Sequence, residues 1–343
     1  MRMGSHCLVT LGWIAAAALA SSALGAGAPL PWQAYASPQH LIRLPDGRRI
    51  NLFCMGTGAP LVVLEAGGFG ATGTWRQVQY EVARTTRTCA YDRAGMGFSD
   101  EGPAPRDAVA VAADFEAMLG AARLQGPYVL VGHSLGGLFV RYFAETHPGR
   151  VAGMVLVDPT TEYDKAALRA IVPTLDTSPI RHPDWLDQCA AAGDRGELKG
   201  ASEAANRCVP GAPRDWPSQL PPDLIAGLVK PYRSAALYRT IAAELDSEDA
   251  DMAEVQARRG PLGDMPLIVL TAGAQVGVAP YTAAQNQALA DFWKRGHDGL
   301  AALSSRGQNR VVQGSGHDIE FDQPQAVVDA IDEVLGEVRA SKP

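Results

Sequence analysis

The sequence predicts an α/β protein: a mostly parallel sheet covered by helices, with a helical insertion between two late strands. Three observations predict it. Short runs that are apolar throughout recur along the chain, among them 61–65 (LVVLE), 128–131 (YVLV), 154–157 (MVLV) and 267–270 (LIVL). Helix-length patterns separate them. A strand without polar alternation is buried on both faces, which requires helices on both sides of a parallel sheet. From Thr160 to about Met265 the alternation stops, strands are missing and prolines are frequent. A loop of that length without structure of its own is uncommon, so the interval reads as a helical cap over the active edge of the sheet.

The 343 residues carry 30 Lys and Arg against 37 Asp and Glu, a formal charge of -7. A nucleic-acid groove needs a basic stripe, and none is present. With 47% hydrophobic and 20% charged residues, and Gly and Pro scattered without a period, the chain is globular rather than disordered, collagen-like or coiled-coil.

The first element is a targeting segment. After Arg2 the next unambiguous charge is Arg43; residues 8–20 read LVTLGWIAAAALA, and small residues follow as far as 28. A positive start, an apolar middle and a small-residue exit describe a secretory signal peptide over 1–28, cut between 23 and 28. The run is shorter than the ~20 residues of a membrane anchor, and no later segment could span a bilayer, so a soluble, secreted or periplasmic protein is expected. A hairpin follows at 40–44 and 49–53 around Pro45-Asp46-Gly47. Strands at 61–65, 88–91, 128–131, 154–157, 267–270 and 310–313 then alternate with helices at 75–84, 107–122, 138–145, 283–303 and 325–339. The division that results is a core of 29–160 and 266–343 and a cap of 161–265. With Cys7 in the leader, Cys54, Cys89, Cys189 and Cys208 remain, an even number that fits two disulfides in one of three pairings. Cys189 and Cys208 both fall in the cap and would staple it. No CxxC pair suggests a zinc site.

Gly132-His133-Ser134-Leu135-Gly136 directly follows the strand at 128–131 and precedes a helix. A G-x-S-x-G turn in that setting holds its serine strained and exposed, with small residues required two positions to either side. The helix behind it offers free amides and a positive dipole end to a developing oxyanion. Ser134 is therefore the candidate nucleophile. Residues 132–137 (GHSLGG), 91–100 (YDRAGMGFSD) and 314–317 (GSGH) together resemble the α/β-hydrolase superfamily, over nearly everything after the leader and least in the cap. The resemblance implies an α/β-hydrolase fold with an eight-stranded sheet, a serine nucleophile, an acid and a late histidine. It makes Asp92 and Arg93 turn-fixing residues, and Ser134 argues against the dehalogenase and epoxide hydrolase branches, which place Asp there. In this fold the second and fourth strands are neighbours, so Cys54 is expected to pair with Cys89, and Cys189 with Cys208.

Neutral imidazole can take a serine proton near pH 7 and return it to a leaving group. Of seven histidines, His6 leaves with the leader, His40 precedes the sheet, His147 ends a helix, His133 packs inside the elbow, and His182 and His297 read as surface or pocket wall. His317 follows the last strand across a Gly-Ser-Gly loop and is the expected base. The acid is displaced. Most relatives carry it after the seventh strand, yet 271–278 (TAGAQVGV) holds no carboxylate. Asp158, ending the preceding strand, is the expected acid, as in some lipases of the superfamily; Glu162 and Asp164 are alternatives. Leu135 supplies one oxyanion amide. By resemblance to the family's His-Gly-x pattern, Gly68 supplies the other, with Ala66 where the His would stand and Phe69 as a pocket wall. Glu65 departs from that pattern and reads as half of a buried ion pair.

The reading that results is a secreted serine hydrolase of carboxylic esters or lactones, working through an acyl-enzyme on a small-molecule ester, without metal or cofactor. In the cap, Trp185, Trp216, Leu228, Tyr232 and Tyr238 would line the pocket or form the cap's own core; Trp185 and Tyr238 join Phe69 as substrate-binding candidates. An aminopeptidase or amidase of the same fold would need a cap carboxylate for a free amine, from Glu244, Asp246, Glu248 or Asp249, although such a run is usually a solvated face. A noncatalytic binding protein would be expected to lose a triad member, whereas Ser134 and His317 are both present.

Overall fold

A computed structural model describes residues 32–174, 178, 180–209, 220–274 and 281–341. The signal segment, Trp216 and residues 275–278 lie outside them. In chain order the strands are β1 (Leu41–Arg43), β2 (Arg49–Met55), β3 (Val62–Glu65), β4 (Thr88–Tyr91), β5 (Tyr128–His133), β6 (Val151–Val157), β7 (Leu267–Ala272) and β8 (Gly307–Val312). They form one eight-stranded sheet in the order β1-β2-β4-β3-β5-β6-β7-β8. The β1–β2 hairpin and the β2–β4 pair are antiparallel. The remaining pairs are parallel.

The core helices are α1 (Arg76–Val82), α2 (Ala108–Ala121) and α3 (Leu135–Thr146) in the first half of the chain. Between β6 and β7 come α4 (Lys165–Ile171), α5 (Asp184–Asp194), α6 (Glu203–Cys208), α7 (Pro222–Val229) and α8 (Ala235–Arg258). After β7 follow α9 (Ala283–Ala301), α10 (Ile319–Asp322) and α11 (Pro324–Ala340). Every residue of β5 is buried, and its alternate side chains serve two cores. Tyr128 and Leu130 pack with Phe115 and Met118 of α2 and Leu138 and Phe143 of α3. Val129 and Val131 pack with Val78 of α1 and Val327 and Ile331 of α11. Two apolar layers explain why the strand shows no polar alternation.

Several boundaries differ from those expected, two of them instructively. β8 starts at Gly307, before the apolar run, because Gly307, Gln308 and Asn309 continue the ladder against Leu267, Ile268 and Val269 of β7. α3 starts at Leu135 and takes Gly136 and Gly137 into the helix, a cost in propensity that close packing at the elbow imposes. The interval between β6 and β7 holds helices and, among the described residues, no strand. It carries its own apolar cluster of Leu186, Cys189, Leu198, Cys208, Leu237, Tyr238 and Ile241. Cys189 and Cys208 are bonded there, joining α5 to α6. Cys54 and Cys89, directly opposite in the β2–β4 register, form the second disulfide. Among the described residues, no helix is long and apolar enough to cross a membrane.

Candidate active site

Ser134 stands between β5 and α3 with φ 49° and ψ -121°, a left-handed conformation rare for a residue with a side chain. The turn is held by close glycine packing. A Cβ on Gly132 would lie 2.5 Å from the Gly136 carbonyl oxygen, and one on Gly136 would lie 2.4 Å from that of Ala66. The smallness is therefore dictated by neighbouring backbone, and not by the serine itself as the motif suggested. Ser134 N–H donates to Val157 O at 3.0 Å, which ties the elbow to the end of β6.

At the same edge His317 lies between two partners. Its Nε2 is 2.9 Å from Ser134 Oγ and its Nδ1 is 2.6 Å from Asp158 Oδ2. Asp158 sits one residue past β6 at φ 38°, and its other oxygen accepts the Ala272 amide at 2.8 Å. Burial opposes ionisation of Asp158, but its hydrogen bonds to His317 and Ala272 and the nearby His297 hold it below the usual carboxylate range. Desolvation likewise opposes a charge on His317, and the hydrogen bond and charge of Asp158 outweigh it, raising its pKa above that of an ordinary histidine. The two alternative acids are engaged elsewhere. Glu162 pairs with Arg141 and Arg259, and Asp164 caps α4 through the Ala166 amide.

The loop after β3 runs alongside. A Cβ on Gly67 would come within 3.2 Å of Ser134 Cβ, which places the Gly67–Gly68 peptide beside Ser134. Phe69, at φ 65°, is exposed at the loop's apex. Beneath the loop, Glu65, Arg93 and Glu244 are all buried and in contact. Glu65 is thus half of an ion pair, as its place in the strand suggested. Asp92 accepts the Thr72 and Phe98 amides and fixes its turn.

His297 takes the pocket-wall position: it lines the cavity on the Asp158 side and is buried, with Nε2–H donating to Pro159 O at 3.0 Å and Nδ1 2.8 Å from Thr271 Oγ1. Tyr238 points into the cap's own cluster, its hydroxyl donating to the Cys208 and Tyr232 carbonyls, and the half-exposed Trp185 packs edge-on against it. Neither of those two substrate-binding candidates lines either of the two cavities that flank the site: Tyr238 is taken up in the cap's own cluster, and Trp185 lies half-exposed beside it. His133 is packed as expected, its Nε2 3.1 Å from the His317 carbonyl; its Nδ1 lies 3.2 Å from the wholly buried Glu320. Glu320 escaped sequence reasoning because only the fold brings it beside His133.

Two cavities flank these groups. One of about 280 Å³ lies at the oxyanion loop, lined by Gly68, Phe69, Tyr35, Tyr232 and Leu228. The other, about 390 Å³, lies on the acid side, lined by Asp158, His317, Tyr163, Trp293 and Glu248. A further cavity of about 570 Å³ opens beside Pro127 and Pro266 at the opposite, amino-terminal edge of the strands, away from the serine. Of the four cap acids, Glu244 is buried against Arg93, whereas Asp246 pairs with His182 at the surface and Asp249 pairs with Lys165 in a half-exposed position. Glu248 alone of the four lines the acid-side cavity.

The model of the alpha/beta hydrolase fold family matches residues 60–188. A probable transporter of Hormonema carpetanum is 33% identical over 162 residues, covering 45% of this chain and 22% of its own length. Lipase LipV of Mycobacterium tuberculosis is 37% identical over 70 residues, covering 20% of this chain and 25% of its own. The chain thus spans about a quarter or less of these two relatives. A thermophilic esterase from Thermogutta terrifontis, 21% identical, superposes with a TM-score of 0.54 over 88% of this chain and 99% of that one.

Proposed function

We propose that this chain, a member of the α/β-hydrolase superfamily, is a serine hydrolase of carboxylic esters or lactones with Ser134 as nucleophile, His317 as base and Asp158 as acid. One observation carries the reading: a single imidazole lies within hydrogen-bond reach of a strained serine on one side and a partly buried carboxylate on the other. In this scheme Ser134 Oγ attacks the acyl carbonyl as His317 Nε2 accepts its proton. Asp158 holds Nδ1–H and stabilises the imidazolium that forms. The amides of Leu135 and Gly68 receive the oxyanion. His317 then protonates the departing alkoxide, and a water deprotonated by the same nitrogen releases the acid. Esters and lactones fit because an alkoxide leaving group needs no further acid than His317 supplies.

Glu248 in the acid-side cavity supports a second reading, in which the substrate carries a free amine beside the scissile bond. The leader-like start and the two disulfides support export to the periplasm or medium. The test is labelling with an organophosphonate probe, followed by a panel of acyl esters, lactones and aminoacyl amides. Ser134 should carry the label in the native protein, and Ser134→Ala and His317→Ala should lose both label and turnover. A folded native protein that stays unlabelled would overturn the reading in favour of a noncatalytic binder.

A further inference from the structure

A fully buried polar cluster lies under the loop after β3, outside the proposed triad. Arg93 is 2% exposed, and each of its five N–H donors has an acceptor. Nη1 donates to Glu65 Oε1 at 2.8 Å and to the Ala66 carbonyl at 2.5 Å. Nη2 donates to the Gly67 carbonyl at 2.9 Å and to Glu244 Oε2 at 2.9 Å. Nε donates to Glu244 Oε1 at 2.7 Å. Glu65 Oε2 in turn accepts the Tyr91 hydroxyl. A guanidinium therefore joins the oxyanion loop to α8, the longest helix of the insertion.

In a trans peptide the carbonyl and the next amide point in opposite directions. Holding the Ala66 and Gly67 carbonyls toward Arg93 turns the Gly67 and Gly68 amides the other way. The geometry points to Arg93 as the positioning residue of the oxyanion loop, held in place by Glu244, so that the seating of the cap helix on the core sets the aim of the Gly68 amide. α8 has no other way to approach: a Cβ on Gly95 would lie 1.8 Å from Thr240 Oγ1, one turn before Glu244, and Asp251, two turns after it, accepts the Ala108 amide at 2.7 Å. Thr240, Glu244 and Asp251 share one face at helical spacing, and all three dock on the core. Lysine could not substitute, because it offers a point charge where the site demands a planar fork.

The inference rests on the serine hydrolase reading, and the experiment separates the two. Arg93→Lys, Glu244→Gln and the half-exposed control Asp249→Asn, whose carboxylate pairs with Lys165, are compared with the native protein, with active sites counted by end-point phosphonate labelling and kcat expressed per labelled site. Removing an oxyanion donor costs roughly 10²–10³ in kcat. Here the donor is displaced rather than removed, so a fall of roughly 10² for Arg93→Lys and roughly tenfold for Glu244→Gln is expected, with KM little changed. Affinity for a trifluoromethyl ketone, which binds as the tetrahedral adduct, should fall by the same factor as kcat/KM. Asp249→Asn should leave both unchanged. A merely structural role would reduce the number of labelled sites and leave turnover per site intact. That outcome, or full turnover per site in Glu244→Gln, overturns the inference while the serine reading stands. An unlabelled native protein defeats the reading itself. Should Arg93→Lys fail to fold, Glu244→Gln, which keeps size and one acceptor, decides alone.

Discussion

Asp158 uses one oxygen on His317 and the other on the Ala272 amide, so the acid is anchored to β7 even though it hangs from β6. Its hydrogen bond and charge raise the pKa of His317, and the proposed mechanism requires the neutral imidazole. The acidic limb of kcat/KM is therefore expected to have its midpoint above the ordinary histidine value of about 6.5. Asp158→Asn removes the charge while desolvation remains, so the midpoint should move down as turnover falls by about 10⁴, the scale of a triad carboxylate replaced by its amide. A pH–rate profile checks both, and a midpoint that stays in place would assign the acid to another group. Glu320 behaves in the opposite sense. Burial, with Asp318, Asp158 and Asp322 nearby, raises its carboxyl to about 8. His133 donates Nε2–H to the His317 carbonyl and burial keeps it neutral, so its bare Nδ1 faces a carboxyl that still holds its proton. The unfolded chain would release that proton near pH 4.3. Between there and about 8 the folded state binds more protons than the unfolded state, so this group makes stability fall as pH rises. Glu320→Gln should gain on the native protein from pH 5 to pH 8 in thermal unfolding, and a constant difference would mean that Glu320 is already ionised at pH 5. Ser134 and His317 were legible because each sits in a short motif at a strand end. Glu320, three residues past the His317 motif, was not, because only the fold turns it toward His133.

At the scale of elements, the elbow depends on α3 lying almost in contact with the loop after β3. Gly136 shows what that contact requires. Helix propensity alone would favour alanine at this position by about 1 kcal/mol. The missing Cβ, however, would stand 2.4 Å from the Ala66 carbonyl oxygen and 2.6 Å from that of Glu65, and backbone cannot yield as a side-chain tip can. Gly136→Ala should therefore destabilise by about 1–3 kcal/mol, as overpacking does, and lower activity by moving the Leu135 amide away from its partner loop. Gly120 on α2, with nothing within 4 Å of its would-be Cβ, is the control, and its alanine variant should be stabilised by up to about 1 kcal/mol. Urea unfolding of the pair measures the difference. The same contrast shows where elements were readable. Strands buried on both faces announce themselves by unbroken apolar runs, as 128–131 does. The first half of β8 is polar in side chain and owes its pairing to the backbone of β7, so periodicity found only its end. The docking face of α8 was not legible: Glu244 was seen only as one member of a charged run, and such a run does not say whether solvent or an arginine awaits it.

For the whole molecule, the sheet and the inserted helices differ in how they are held. The sheet has two large apolar layers, whereas the insertion relies on a small cluster around Leu186, Leu198 and Ile241, with a disulfide set in it. A unit with so little core gains proportionally from a covalent link. The bond between Cys189 and Cys208 closes a loop of sequence separation 19, for which the chain-entropy account gives about 3 kcal/mol. α8 is tied to the core separately, through Glu244 and Asp251. Replacing both cysteines with serine should thus loosen α5 and α6 while α8 stays in place. Limited proteolysis of the folded double variant is expected to cut first within 184–208, at a rate raised by roughly 10², which is 3 kcal/mol converted to a population of the open form. Global unfolding, governed by the sheet, should shift less than that local opening. Equal changes in the two measurements would show that the insertion and the sheet open as one cooperative unit, and the contacts of α8 would then have to be counted as part of the core rather than as the seam between two levels of stability.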